Sequence, residues 1–147
     1  MTQNLGPLMR YILDFDQLQD YVSKNEGLLP NLIRDYFLKL GNDLGFESEK
    51  NFSAKFNKIE MGSVKLAWVD SNKIAAAFEI EFGNKAEFLS SLWKLMALDT
   101  QNAVLITSSK ARNFSPDETK KLVSMFSKKP ENFLVLIDIA KEEFFLL

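Results

Sequence analysis

The residue pattern of this 147-residue chain predicts an α/β domain, a mixed central sheet flanked by helices. Three observations carry the prediction. One is an amphipathic helical stretch, with Leu32, Ile33, Tyr36, Phe37 and Leu40 recurring at i, i+1, i+4, i+5 and i+8. Two strand-like runs, SVKLAWV and KIAAAFEIEF, follow, joined by the turn residues Asp70-Ser71-Asn72. Short, wholly apolar runs then alternate with helical periods, the pattern of buried parallel strands and their crossovers.

Taken in order, DFDQLQDYVSKNEG reads as a short helix, with Leu18, Tyr21 and Val22 at helical spacing, an acidic start and a Gly27 stop. The next helix has Pro30 in its first turn and ends at Gly41 and Gly45. NFSAKFNKIEM suggests a strand ending near Glu60, with Gly62 in the turn that follows. After the SVKLAWV–KIAAAFEIEF hairpin, Phe88, Leu89, Leu92, Trp93, Leu95 and Met96 mark a helix. NAVLITSS is a buried strand. Ser115-Pro116-Asp117-Glu118 is a capping box that opens a helix through about Phe126. NFLVLIDIA is another buried strand. The helix between Glu81 and NAVLITSS is a crossover, so the strands it joins run parallel.

Composition narrows the chemistry. With no cysteine and no histidine, thiolate or imidazole nucleophiles, zinc–thiolate sites and haem ligation drop out. Any metal must be a hard cation on oxygen ligands, Mg2+ or Mn2+. Eighteen basic against twenty acidic residues leave a net charge of −2, so no global field advertises nucleic acid. The N-terminus lacks the charge order of a signal peptide and no run approaches membrane-span length, which points to a cytoplasmic protein without membrane contact.

Glu79 and Glu81 interrupt the apolar run AAAFEIEF. The order α-β-β-β-α-β with E-x-E on the third strand resembles the core of the PD-(D/E)xK, or restriction-endonuclease-like, superfamily. The likeness runs through IRDYFLKLGNDLGFE, VKLAWVDSNKIAAAFEIEFGNKAEFLSSLWKLMALD and NAVLITS. It implies a nuclease-like core over residues 28–109, with an N-terminal helical extension at 1–27 and a C-terminal helix and strand at 110–147, all one domain. It also implies a metal-dependent hydrolase acting on DNA phosphodiester bonds. Carboxylates at i and i+2 share one face of a strand and can hold one ion. By the resemblance Glu79 is the metal-binding acid, and Glu81 stands where lysine is commonest. Lys65 occupies the place of the family's aspartate.

Asp70 lies five residues from Lys65, roughly 16 Å away at about 3.3 Å per residue, too far to share an ion with Glu79. A tight Met61-Gly62-Ser63 turn would instead bring Glu60 beside Lys65. Two alternatives then stand open. Glu60, Glu79 and Glu81 hold Mg2+ or Mn2+ with Lys65 as charge stabiliser, or Lys65 pairs with Glu79 and Glu81 and neutralises a remnant site in a catalytically inactive nuclease-fold module for nucleic-acid or protein interaction.

Other residues have solvated-face readings beside functional ones. Asp35 lies on the helix that sometimes supplies an extra acid in this superfamily, but a solvated helix face accounts for it. Lys110, Arg112 and Lys85 are candidate nucleic-acid contacts, with Lys94, Arg10, Lys120, Lys121, Lys128 and Lys129 as further basic residues. Trp68 and Trp93 read as core. The closing EEFFLL, with Phe144 to Leu147 apolar, predicts either an edge strand folded back on the sheet or a homodimer seam.

Overall fold

The computed structural model describes residues 6–111, 115–126 and 134–147. A one-turn helix α1 (Met9–Ile12) precedes α2 (Phe15–Lys24) and α3 (Leu29–Asp43). Then come β1 (Glu47–Phe56), β2 (Ile59–Asp70), β3 (Lys73–Ile80), α4 (Lys85–Ala97), β4 (Ala103–Thr107), α5 (Pro116–Phe126), β5 (Leu134–Asp138) and β6 (Glu143–Leu146). The strands form a six-stranded sheet in chain order. β1, β2 and β3 are antiparallel, β3, β4 and β5 are parallel, and β6 returns antiparallel to β5. The mixed α/β sheet expected from the sequence is the one observed.

Each parallel step is made by a helix, and the helices divide between the two faces. On one face, Met9, Ile12, Leu18, Ile33, Tyr36 and Phe37 of the first three helices cover Leu66, Trp68, Phe78, Val104, Ile106, Val135 and Ile137. On the other, Phe88, Leu92 and Leu95 of α4 and Val123 of α5 cover Ala77, Ala103, Leu105, Leu134 and Leu136. Strands β4 and β5 alternate between these two sets, and every residue in both is buried. A strand covered on both faces has no wet side to mark with polar residues, which explains the unbroken apolar runs.

The local start and stop signals act as anticipated at several ends. Asp14 accepts a hydrogen bond from the Gln17 amide at the start of α2, and Pro30 sits in the first turn of α3. Ser115 Oγ accepts from the Glu118 amide at the start of α5. The complete capping box is at α4, where Asn84 accepts from the Glu87 amide and Glu87 accepts from the Asn84 amide.

Four details depart from expectation. Gly41 does not end α3 but lies inside it, because a Cβ there would collide with the Trp68 indole. That indole is buried and donates to the Phe37 carbonyl at 2.9 Å. The turn after β1 falls at Asn57-Lys58, both at positive φ, two residues ahead of Glu60. Met61-Gly62-Ser63 is therefore strand, not turn, and Glu60 and Lys65 lie on the same strand, five residues apart. Trp93 is 38% exposed on α4 and not core.

The apolar C-terminus is the sixth strand, with Leu136 opposite Phe145 and Val135 opposite Leu146. Phe145 and Leu147 pack against one core and Leu146 against the other. Among the described residues no helix is long and apolar enough to cross a membrane.

Candidate functional site

Strand β2 outruns its neighbour. The β2–β3 ladder extends from Asp70 opposite Lys73 to Leu66 opposite Phe78, whereas β2 continues beside β1 down to Ile59. Beyond Leu66 the two strands fork, and the β2 backbone groups that face the fork have lost their strand partner. Such groups must find another partner or pay a desolvation penalty of about 1–3 kcal/mol each.

Glu79 meets one of them. Its Oε1 accepts a 2.6 Å hydrogen bond from the Lys65 amide. Lys94, on the inner side of α4, meets another, donating to the Ser63 carbonyl at 2.9 Å. Two residues apart in a strand, these groups point to one edge. The two side chains filling the fork also pair with each other. Lys94 Nζ lies 3.1 Å from Glu79 Oε2, with the carboxylate 1% and the lysine side chain 18% exposed. That oxygen has no aligned hydrogen-bond donor, so the contact with the ammonium is ionic, while the same ammonium donates to the Ser63 carbonyl.

Alternation along β3 puts Glu81 on the same face as Glu79. Its carboxylate turns toward the start of α4, where Oε1 accepts from the Gly83 amide at 3.0 Å and Oε2 from the Ser91 hydroxyl at 3.4 Å. A helix N-terminus favours an anion at this position. A Cβ on Gly83 would stand 2.6 Å from Glu81 Oε1 and 2.7 Å from Glu87 Oε2, so any side chain there would push the two carboxylate ends aside.

The predicted site residues are therefore distributed as follows. Lys65 stands across the fork from Glu79, brought there by a one-residue register shift in the β2–β3 ladder between Val69 and Trp68, but it contributes its amide while its side chain is exposed. Glu60 is exposed near the hairpin tip, where its Oε1 accepts from Ser53. Asp70 closes the ladder opposite Lys73, at the far end. Among the described residues, no three carboxylates gather into a group able to hold a metal ion. The donor set at Glu79 consists of one oxygen bound to an amide and one beside an ammonium. It does not fit a divalent ion in the manner the resemblance implied.

Of the basic candidates, Lys85 is ion-paired with Glu118 at 2.6 Å, and Lys110 is exposed in the turn after β4. Lys120 and Lys121 are exposed on α5. Arg112, Lys128 and Lys129 lie outside the described residues. Arg10 sits over the Tyr11 ring, and Asp35 is shared by Arg34 and Lys50.

Sequence reasoning missed the pairing of Lys94 with Glu79. A signal was present. A helix directly following a strand by crossover lies along that strand's face, and Ser91 and Lys94 flank the buried Leu92 and Leu95 on the side turned to it. It also missed Asp138 at the end of β5, wholly buried, whose Oδ1 accepts from the amides of Ser109 and Ala140.

Comparison of the chain with protein-family models, with curated proteins and with solved structures finds no match.

Proposed function

We propose that this chain is a restriction-endonuclease-like domain that binds nucleic acid without cutting it. One observation carries the reading. The carboxylate that would have to grip the metal is committed on both oxygens, to the Lys65 amide and to the Lys94 ammonium. Hydrolysis of this type needs an ion that lowers the pKa of a water and neutralises charge on the phosphoryl oxygens. A carboxylate already neutralised by lysine is poorly placed to hold one.

Support for nucleic acid as the partner comes from the β1–β2 hairpin. Its outer part carries exposed Lys55, Lys58 and Lys65 against a single acid, Glu60, on a chain whose net charge is negative. Ile59 and Met61 are exposed on the same arm, at 64% and 42%. Lysines flanking apolar side chains on a projecting ribbon suit a phosphate-lined groove, with the apolar groups against bases or sugars.

Two measurements test this. Supercoiled plasmid incubated with Mn2+ or Mg2+ is expected to stay uncut. Labelled duplex DNA in a fluorescence anisotropy titration is expected to bind saturably and with strong salt dependence. Charge reversal at Lys55, Lys58 and Lys65 together should weaken that binding at least tenfold. Cutting that disappears in Glu79→Ala would establish the metal-dependent phosphodiesterase instead. Absence of binding at low salt would remove nucleic acid and leave a protein-interaction module.

A further inference from the structure

Three features converge at the β2–β3 fork. The Glu79 carboxylate is shut away from water, and its Oε2 has no aligned hydrogen-bond donor. The Lys94 ammonium stands 3.1 Å from that oxygen. The same ammonium is fixed from the other side by the Ser63 carbonyl. A cationic centre is thus held between a carboxylate oxygen and a backbone carbonyl oxygen. These are ligand types that hard divalent cations take.

We infer that the Lys94 ammonium is the resident cation of this site. It fills the place a divalent ion would take between Glu79 and the Ser63 carbonyl. The native chain therefore excludes metal there, and a chain without this ammonium acquires a divalent-metal site.

The physical grounds are the cost of a bare buried charge and the repulsion between cations. A buried carboxylate without a counter-charge is strongly destabilised, so removing the lysine leaves a site that any small cation relieves. With the ammonium in place, a dication within bonding distance of Oε2 would stand a few Å from a fixed positive charge in a poorly screened setting. Once it is gone, Glu79, the Ser63 carbonyl and Glu81 on the same face supply oxygen donors. Mg2+ and Mn2+ habitually complete such partial sets with water. Glu81 would leave Ser91, its longest contact at 3.4 Å, to take part. The inference rests on the fork alone and holds whether or not the domain binds nucleic acid.

The test is a Mn2+ titration read by thermal shift and by calorimetry on four proteins: the native chain, Lys94→Met, Lys94→Gln and the double variant Glu79→Gln with Lys94→Met. The native chain and the double variant should show no saturable response at millimolar Mn2+. Lys94→Met should bind saturably and gain several degrees in Tm. Should Lys94→Met fold only when Mn2+ is added, and not with a monovalent salt of equal ionic strength, the inference is supported. Should it not fold at all, Lys94→Gln, which keeps a donor for the Ser63 carbonyl, takes the same titration. A folded Lys94 variant without saturable binding overturns the inference. So does saturable binding by the native chain that the double variant loses.

Discussion

Glu79 and Asp138 are both wholly buried, on strands two apart in one sheet, and they are held by different means. Glu79 accepts one backbone amide, that of Lys65, and depends for its counter-charge on a side chain from another element, the lysine of α4. Asp138 has no lysine or arginine partner among the described ion pairs and accepts from backbone amides at Ser109 and Ala140. The difference lies in what a single substitution can remove. A side-chain counter-ion can be deleted, stranding its partner, whereas backbone amides stay with the fold. The first arrangement makes the fork sensitive to events on α4. The second fastens the β4–α5 turn to the end of β5 and can be undone only at Asp138 itself.

The largest effect expected from breaking this contrast is at Lys94. Lys94→Met in metal-free buffer should cost about 3–5 kcal/mol, because it leaves a buried carboxylate uncompensated. Adding Glu79→Gln should recover part of that loss. In a double-mutant cycle by urea denaturation the two residues should be coupled by at least about 1 kcal/mol.

Asp138 should behave differently, with its contribution visible as a dependence on pH. Burial by itself would raise its pKa, but hydrogen bonds from Ser109, Ala140 and Lys141 outweigh burial and hold the carboxyl below its usual value. A group whose folded pKa is depressed stabilises the fold at pH above its ordinary value near 3.8. That contribution is lost as the pH falls through the lower folded value. Asp138→Asn should therefore cost about 1–3 kcal/mol at neutral pH. It should also flatten the acid limb of the stability profile below about pH 4, measured as urea midpoints across a pH series.

Gly62 sharpens the picture of the fork. Its φ of +104° disfavours any side chain, although space exists beside the Lys94 stem. Gly62→Ala should cost about 1–3 kcal/mol through backbone strain, without changing the denaturant slope. The smallest effect is expected at the Lys85–Glu118 pair. Both side chains are more than half exposed, and Lys85→Ala should shift stability by less than about 1 kcal/mol. A larger shift would mean that the starts of α4 and α5 depend on each other more than a solvated ion pair allows.

Much of the fold was legible because its signals are local or periodic. Pro30, the Ser71-Asn72 turn and the Ser115-Pro116 cap act within a few residues of themselves, and the helices and strands they bound appear where expected. The errors fell where local chemistry has two readings. Gly41 resembles a helix stop, yet its role is to admit a tryptophan from a strand 27 positions later, in a contact no local window contains. Gly62 resembles a turn residue, yet it serves inside β2, while Asn57 and Lys58 make the turn through positive φ.

The sequence by itself determined the element order through β5 and the alternation that puts Glu79 and Glu81 on one face of their strand. These follow from local start and stop signals and from the two-residue period of a strand. The hairpin turn alone, with Asp70 opposite Lys73, would set Lys65 opposite Phe78, and a one-residue register shift between Val69 and Trp68 brings it across from Glu79. Only the tertiary structure decided which group of Lys65 meets Glu79, and that the neutralising charge comes from Lys94. Both outcomes depend on where β2 leaves β3 and on how α4 settles over the gap. Orphaned backbone groups and a buried carboxylate recruit whatever donor the packed helix brings within about 3 Å. Proximity of that kind is a property of the assembled layers.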